Sequence, residues 1–358
     1  MVVKRKLNVK RLILFILCVI LLIGLILVMT YKFMIGEVSN NDDEVEFTVE
    51  VGTNYLSLSE DLKKSNLVKS KFFYELYIKI HKPDMLYAGT YLLSEDKSVK
   101  EIVDAFSTGT TYNPDAINVT LKEGIHIEDI ARIVAESTNK TQEEYITYWN
   151  SEEFLDKVID KYWFITDEVK NSELKYALEG YFFPSTYELL NKDVDEEYVA
   201  YKLLDQMEIV LNKYKEDIES SNYSVHELLT LASIIENEAI LDEDRAVISS
   251  VFYNRLESGM KLQSCATVGY AIGEWKLFYT ERDLAVDSPY NTYYYYGLPV
   301  GPGNNPGEKS IKASIYPEET NYYFFLADVC SENPKTYFSE TQAEHSQKAN
   351  QYLTCQEG

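Results

Sequence analysis

The chain has 358 residues, 46% of them hydrophobic, which is enough for a sizeable core and about two domains behind a membrane anchor and excludes wholesale disorder. Six basic residues and no acids precede Gly36. The remainder of the chain holds 28 Lys+Arg against 58 Asp+Glu, a net charge near −30 that repels phosphate backbones and argues against a nucleic-acid partner.

Leu12 to Thr30 is uncharged and rich in Leu, Ile and Val, matching the roughly 20 residues a helix needs to cross a bilayer core. Lys4, Arg5, Lys6, Lys10 and Arg11 precede it and only Lys32 lies close behind. That asymmetry predicts a cytoplasmic N-terminus and an extracellular remainder. The run is long and no A-x-A-like site comes after it, which favours an uncleaved anchor over a signal peptide. Residues 1–11 then form a cytoplasmic tail, 12–31 the membrane helix and 32–46 a polar linker.

The expected fold is α+β throughout the rest: a small domain over 47–112 and a larger mixed one over 113–358, with a helix-rich stretch at 140–220. Phe47–Val51 alternates as a strand should, Gly52 turns the chain, and helices are expected over Leu58–Leu67 and Phe72–Ile80. Tyr87–Tyr91 reads as a second strand and Ser98–Phe106 as a helix stopped before Gly109. The pattern partly repeats, with a strand at Ile117–Leu121, a turn at Gly124 and a helix over Ile127–Ala135.

Ser224-Val-His-Glu227 is a capping box, and Leu228, Leu231, Ala232, Ile235 and Ala239 form one stripe of the helix it opens. Glu236 falls inside that apolar arc, while Glu238 lies about 200° round the axis. A carboxyl on an apolar face is either desolvated, which raises its pKa and suits a general acid, or paired with a base such as Arg245 or Arg255. Farther on, 297–307 is too rich in Gly and Pro for regular structure, and long loops in compact domains are usually functional. Gln263, Tyr290, Asn291 and Thr292, with aromatic faces nearby, suit a sugar; an Asx/Pro turn packed under its own tyrosines is the other reading.

No metal or cofactor is expected. The four histidines lack H-E-x-x-H spacing, and neither G-x-S-x-G nor a P-loop is present. Outside the anchor only Cys265, Cys330 and Cys355 remain, without zinc spacing, and a Cys265–Cys330 disulfide is left open.

Several motifs fall in a familiar order: Ala88-Gly-Thr-Tyr91, Glu179-Gly-Tyr-Phe-Phe-Pro184, Leu231-Ala-Ser-Ile-Ile-Glu-Asn-Glu-Ala239, Val251-Phe-Tyr-Asn-Arg-Leu256, Leu262-Gln-Ser264, Tyr290-Asn-Thr-Tyr293, Gly297-Leu-Pro299, Asn305-Pro-Gly307 and Ser310-Ile-Lys-Ala313. Over residues 47–352 the chain resembles the endolytic murein transglycosylases (the MltG, or YceG-like, family). The resemblance implies a single-pass anchor, a LysM-like domain, and a catalytic domain that cleaves the MurNAc–GlcNAc β-1,4 bond of peptidoglycan glycan strands to leave 1,6-anhydro ends. It puts the family's catalytic glutamate on Glu236 and makes wall-synthesising enzymes at the membrane plausible partners. Cys265-Ala266 departs from the acidic residue and Pro common there. Two alternatives remain: a hydrolase pairing Glu236 with Asp283 or Asp287, and a non-catalytic glycan-binding scaffold.

Overall fold

The structure, a computed structural model, describes residues 9–109, 111–276, 279–328 and 334–353; Cys330 and Cys355 lie outside them. The apolar run forms α1 (Val9–Met34), whose stretch Leu14–Met34 is long and apolar enough to cross a membrane, with none of its most apolar 18 residues buried. Helix α1 runs past the predicted 12–31 span, and the segment after it is no loose linker. The Val38 and Ser39 amides donate to the Glu95 carbonyl, at 2.8 and 3.2 Å, and the Ile35 carbonyl accepts from the Val99 amide at 2.9 Å.

The chain divides into two units between Pro114 and Asp115. In the first, β1 (Val45–Val49), α2 (Ser59–Lys64), α3 (Lys71–His81), β2 (Gly89–Leu93) and α4 (Val99–Thr108) come in order, and β1 pairs antiparallel with β2. Alternation turns Phe47 and Val49 inward onto Leu62, Tyr74, Tyr91 and Phe106. Ser98 and Glu101 close a capping box at the start of α4.

The second unit opens with β3 (Ile117–Thr120), α5 (Ile127–Ser137), α6 (Gln142–Trp149), α7 (Glu152–Lys161), β4 (Thr186–Leu189) and α8 (Glu196–Leu211), β3 pairing antiparallel with β4. The repetition is closer than the sequence indicates. Phe47 faces Tyr91 as Val119 faces Tyr187, and the next rungs are Thr48–Thr90 and Thr120–Thr186, hydroxyl to hydroxyl at 3.1 and 3.0 Å. Tyr91 and Tyr187 each donate to the carbonyl four residues back. Gly52 and Gly124 both turn the chain at positive φ, +86° and +75°.

In this second copy the turn and the Glu179–Phe183 segment close round Asn305. Its carboxamide oxygen accepts from the Gly180 and Phe182 amides, both at 3.0 Å, and its backbone bridges to Ile125. The remaining elements are α9 (Lys215–Ser220), α10 (Val225–Glu238), α11 (Arg245–Glu257), α12 (Cys265–Ile272), α13 (Glu281–Leu284), α14 (Glu308–Ile315), the hairpin β5 (Phe324–Ala327) and β6 (Thr336–Ser339), and α15 (Gln342–Tyr352). The predicted capping box starts α10, with the Glu227 amide donating to Ser224 Oγ at 3.2 Å. Its apolar face is wider than one stripe: every residue from Leu228 to Ile235 is buried, so α10 runs through the interior with α11 and α14 packed on it.

Candidate active site

The 301–307 loop grips α10 from one side. The Gly303 amide donates to Ser233 Oγ at 3.1 Å, and Asn304 Nδ2 donates to the Ser233 carbonyl at 2.8 Å. The Gly307 amide reaches Glu236 Oε2 at 2.9 Å. The other oxygen of Glu236 pairs with Arg245 at 3.3 Å, and both side chains are about nine-tenths buried. Arg245 also donates to Ser310 Oγ at 2.5 Å and to Asp242 at 3.2 Å. Of the two readings open for this carboxyl, the structure gives the pairing with Arg245.

Glu238, about half a turn onward, faces elsewhere. It borders a cavity of about 360 Å³ lined also by Arg255, Leu262, Gln263, Tyr293, Phe324 and His345. Burial pushes its carboxyl above the usual range, opposed by the Ser264 hydroxyl, the Ala266 amide and the Arg255 charge. Ser264 Oγ donates to Oε1 at 2.5 Å. Arg255 spends its donors on the cavity wall, on the Tyr323 and Leu262 carbonyls at 2.6 Å each. His345 stacks on Phe324 with centroids 5.5 Å apart; its Nδ1 is buried without a partner among the described residues, and burial lowers its pKa.

The four residues expected to meet a sugar separate. Gln263 is exposed on the cavity rim, held at φ +50° with its amide on the Thr292 carbonyl at 3.2 Å. Tyr290, Asn291 and Thr292 are buried and satisfied internally. Tyr290 Oη accepts from the Lys175 amide; Asn291 donates to the Leu284 and Val286 carbonyls; Thr292 Oγ1 accepts from the Ser264 amide and bonds Thr267. Of the three, Thr292 holds the Ser264 amide directly. Cys265 is a free thiol beside Tyr293 Oη at 3.3 Å.

A larger groove of about 680 Å³ opens on another face of α11, but its carboxyls Glu257, Glu318 and Glu319 are exposed, so it lacks the desolvation an acid needs. Asp283 is committed to capping α13 and to Lys276, which hold it down at about 2, and Asp287 accepts from Tyr295; neither lines the Glu238 cavity.

Residues 47–351 match the model of the YceG-like family. The chain belongs to the YceG-like family. It is 33% identical over 311 residues to an endolytic murein transglycosylase of Bacillus subtilis (strain 168), covering 87% of this chain and 85% of that one. An endolytic murein transglycosylase of Streptococcus pneumoniae serotype 2 (strain D39 / NCTC 7466) is 31% identical over 330 residues, 88% of this chain and 59% of its own length. The 2.6 Å crystal structure of a putative YceG-like protein, lmo1499, from Listeria monocytogenes superposes with a TM-score of 0.61 at 36% identity, over 85% of this chain and 98% of that one.

For this YceG-like chain, the structure places Glu238 and His345 on the cavity and bonds Ser264 to Glu238, whereas the sequence reading favoured Glu236 on this helix. The wheel placed Glu238 off the apolar stripe, but a helix buried on nearly every side has no single inward direction. The signal that could have found it was Leu262-Gln-Ser264, a polar patch between two apolar helices that needs a buried partner.

Proposed function

We propose that this chain is a peptidoglycan lytic transglycosylase in which Glu238, rather than Glu236, is the single general acid/base. The observation that carries the assignment is that, of the two carboxyls in the last turn of α10, only Glu238 borders the cavity, with its pKa raised by burial, while Glu236 is committed to Arg245 and Gly307. Burial favours the protonated carboxyl, which can give its proton to the glycosidic oxygen as the C1–O bond to GlcNAc breaks. The carboxylate left behind, held by Ser264 and the Ala266 amide, then takes the proton of the MurNAc C6 hydroxyl as that oxygen bonds C1. The 1,6-anhydro ring closes, the enzyme's proton is restored, and no water is consumed. One carboxyl suffices because the substrate supplies the nucleophile. A hydrolase of the two-carboxylate kind needs a second acid beside the bond, and neither Asp283 nor Asp287 borders the cavity.

In this reading Gln263 and His345 meet the sugar, Phe324 and Tyr293 offer flat apolar faces, and Thr292 positions Ser264. Helix α1 anchors the chain with its N-terminus in the cytoplasm and the larger unit outside, near membrane-bound wall synthases as partners. The first unit is the LysM-like module that holds glycan. Mass spectrometry of intact murein digested by the wild type, Glu238→Gln and Glu236→Gln tests the assignment. Anhydro-ended fragments from the wild type and Glu236→Gln but not from Glu238→Gln are expected. Their loss only in Glu236→Gln would return the role to that residue, and free reducing ends would convert the reaction to hydrolysis.

A further inference from the structure

Helix α1 does not end in a free tether; its last turn is part of the first unit. Tyr31 and Ile35 pack on that unit's core, and the Tyr31 ring meets Phe73 at 6.4 Å between centroids. Lys69 Nζ donates to the Phe33 carbonyl at 3.1 Å and sits 3.9 Å from the centre of the Phe33 ring. The segment beyond is tied down through Glu95, which accepts from Ser39 Oγ at 2.7 Å and Asn66 Nδ2 at 2.6 Å. The 21 residues of Leu14–Met34, apolar except near the end at Thr30 and Lys32, span about 31 Å at 1.5 Å per residue, close to the roughly 30 Å of a bilayer core. Tyr31 to Met34 therefore reach the boundary of the hydrocarbon, and whatever touches them lies at the headgroup level.

The groups that touch them suit that level. Phe72, at the start of α3, packs edge-on against Phe73 with centroids 5.3 Å apart, yet is 65% exposed; Phe33 is 67% exposed. Exposed aromatic rings beside lysines are the composition of a membrane–water interface. The charges around them are mixed: Lys71 is paired with Glu60 at 3.0 Å, Glu75 accepts from Ser59, and Glu37 comes just after the helix. The match is to the interfacial zone of the bilayer rather than to an anionic headgroup.

We infer that the face of the first unit built from Phe33, Lys69 and the Phe72–Phe73 pair rests on the lipid interface from which α1 emerges, so that this unit sits on the membrane in a fixed orientation. The inference rests on reading α1 as a membrane span. The full chain in phosphatidylcholine nanodiscs tests it, with Phe72→Trp compared with Val51→Trp. Val51 is 93% exposed beyond the end of β1 away from the α1 attachment. Emission from the three native tryptophans, Trp149, Trp163 and Trp275, is subtracted using the wild type. Lipids brominated near the top of the acyl chains should quench the Phe72→Trp emission at least twofold and leave Val51→Trp unchanged. Equal, weak quenching of both, with α1 protected from protease in the same discs, would overturn the inference while leaving the anchor standing. A chain that does not stay with the discs would overturn the anchor reading and this surface with it.

Discussion

On one side of the last turn of α10, Glu236 lies between a guanidinium and a backbone amide inside packed protein; on the other, Glu238 lies between a serine hydroxyl and an open cavity. The two are the same residue type, two positions apart, on a helix whose middle is buried all round. Their difference comes entirely from what distant segments bring up: Arg245, Gly307 and Ser310 to one, Ser264, Ala266 and the β5 hairpin to the other. Burial raises the pKa of Glu238, which favours the protonated form a general acid needs.

Kinetics should separate the two glutamates most widely. Glu238→Gln is expected to lower the rate of glycan cleavage by about 10²- to 10⁴-fold, the usual worth of a general acid, with an unchanged circular dichroism spectrum. Glu236→Gln should instead act on stability. Leaving Arg245 with only the half-exposed Asp242 as charge partner costs up to about 3 kcal/mol, read as a lower urea midpoint, while turnover per folded molecule stays within a few-fold. A Glu236→Gln enzyme that is stable but inert would reverse the roles.

Ser264→Ala removes the hydroxyl that stabilises the ionised Glu238. The carboxyl should hold its proton to higher pH, so the alkaline limb of the rate profile moves up. The positioning loss lowers kcat by about 10-fold, the worth of roughly one hydrogen bond to a charged group. A downward shift of that limb would contradict the pull assigned to Ser264. A separate effect, on stability alone, concerns Glu179, whose burial raises its pKa from 4.5 to about 8 although Ile127, Asn305 and Tyr270 all donate to it. The unfolded chain ionises this group from about pH 4.5 and the folded chain resists until about 8, so folding stability drains away as pH rises between the two. Thermal midpoints across that window should fall in the wild type and stay flatter in Glu179→Gln.

Much of the fold could be read from the residues. The apolar run, the alternating strands, the two glycine turns and the Ser224 capping box all act locally, through side-chain period, positive φ and one side chain bonding a nearby amide. The site could be read less well. Its motifs are contiguous, but which atoms they spend on the scaffold depends on segments far away in the chain. Nothing within Tyr290-Asn-Thr-Tyr293 reveals that Asn291 is exhausted by the Leu284 and Val286 carbonyls, or that Thr292 supports Ser264. Nor can a helical wheel choose between two glutamates when both sides of the helix are covered.

Asn305, clasped by the second of the two similar hairpins, also sets an order of assembly. It bonds Gly180 across 125 residues and Ile125 across 180. A chain emerging from the ribosome completes the first unit soon after residue 114, but α10 lacks the loop that grips it until residue 307 has been made. Every shorter product, nascent or clipped, carries Glu238 without the cavity walls that β5 and α15 supply. An enzyme that dissolves its own cell's wall therefore becomes competent only near the end of its synthesis.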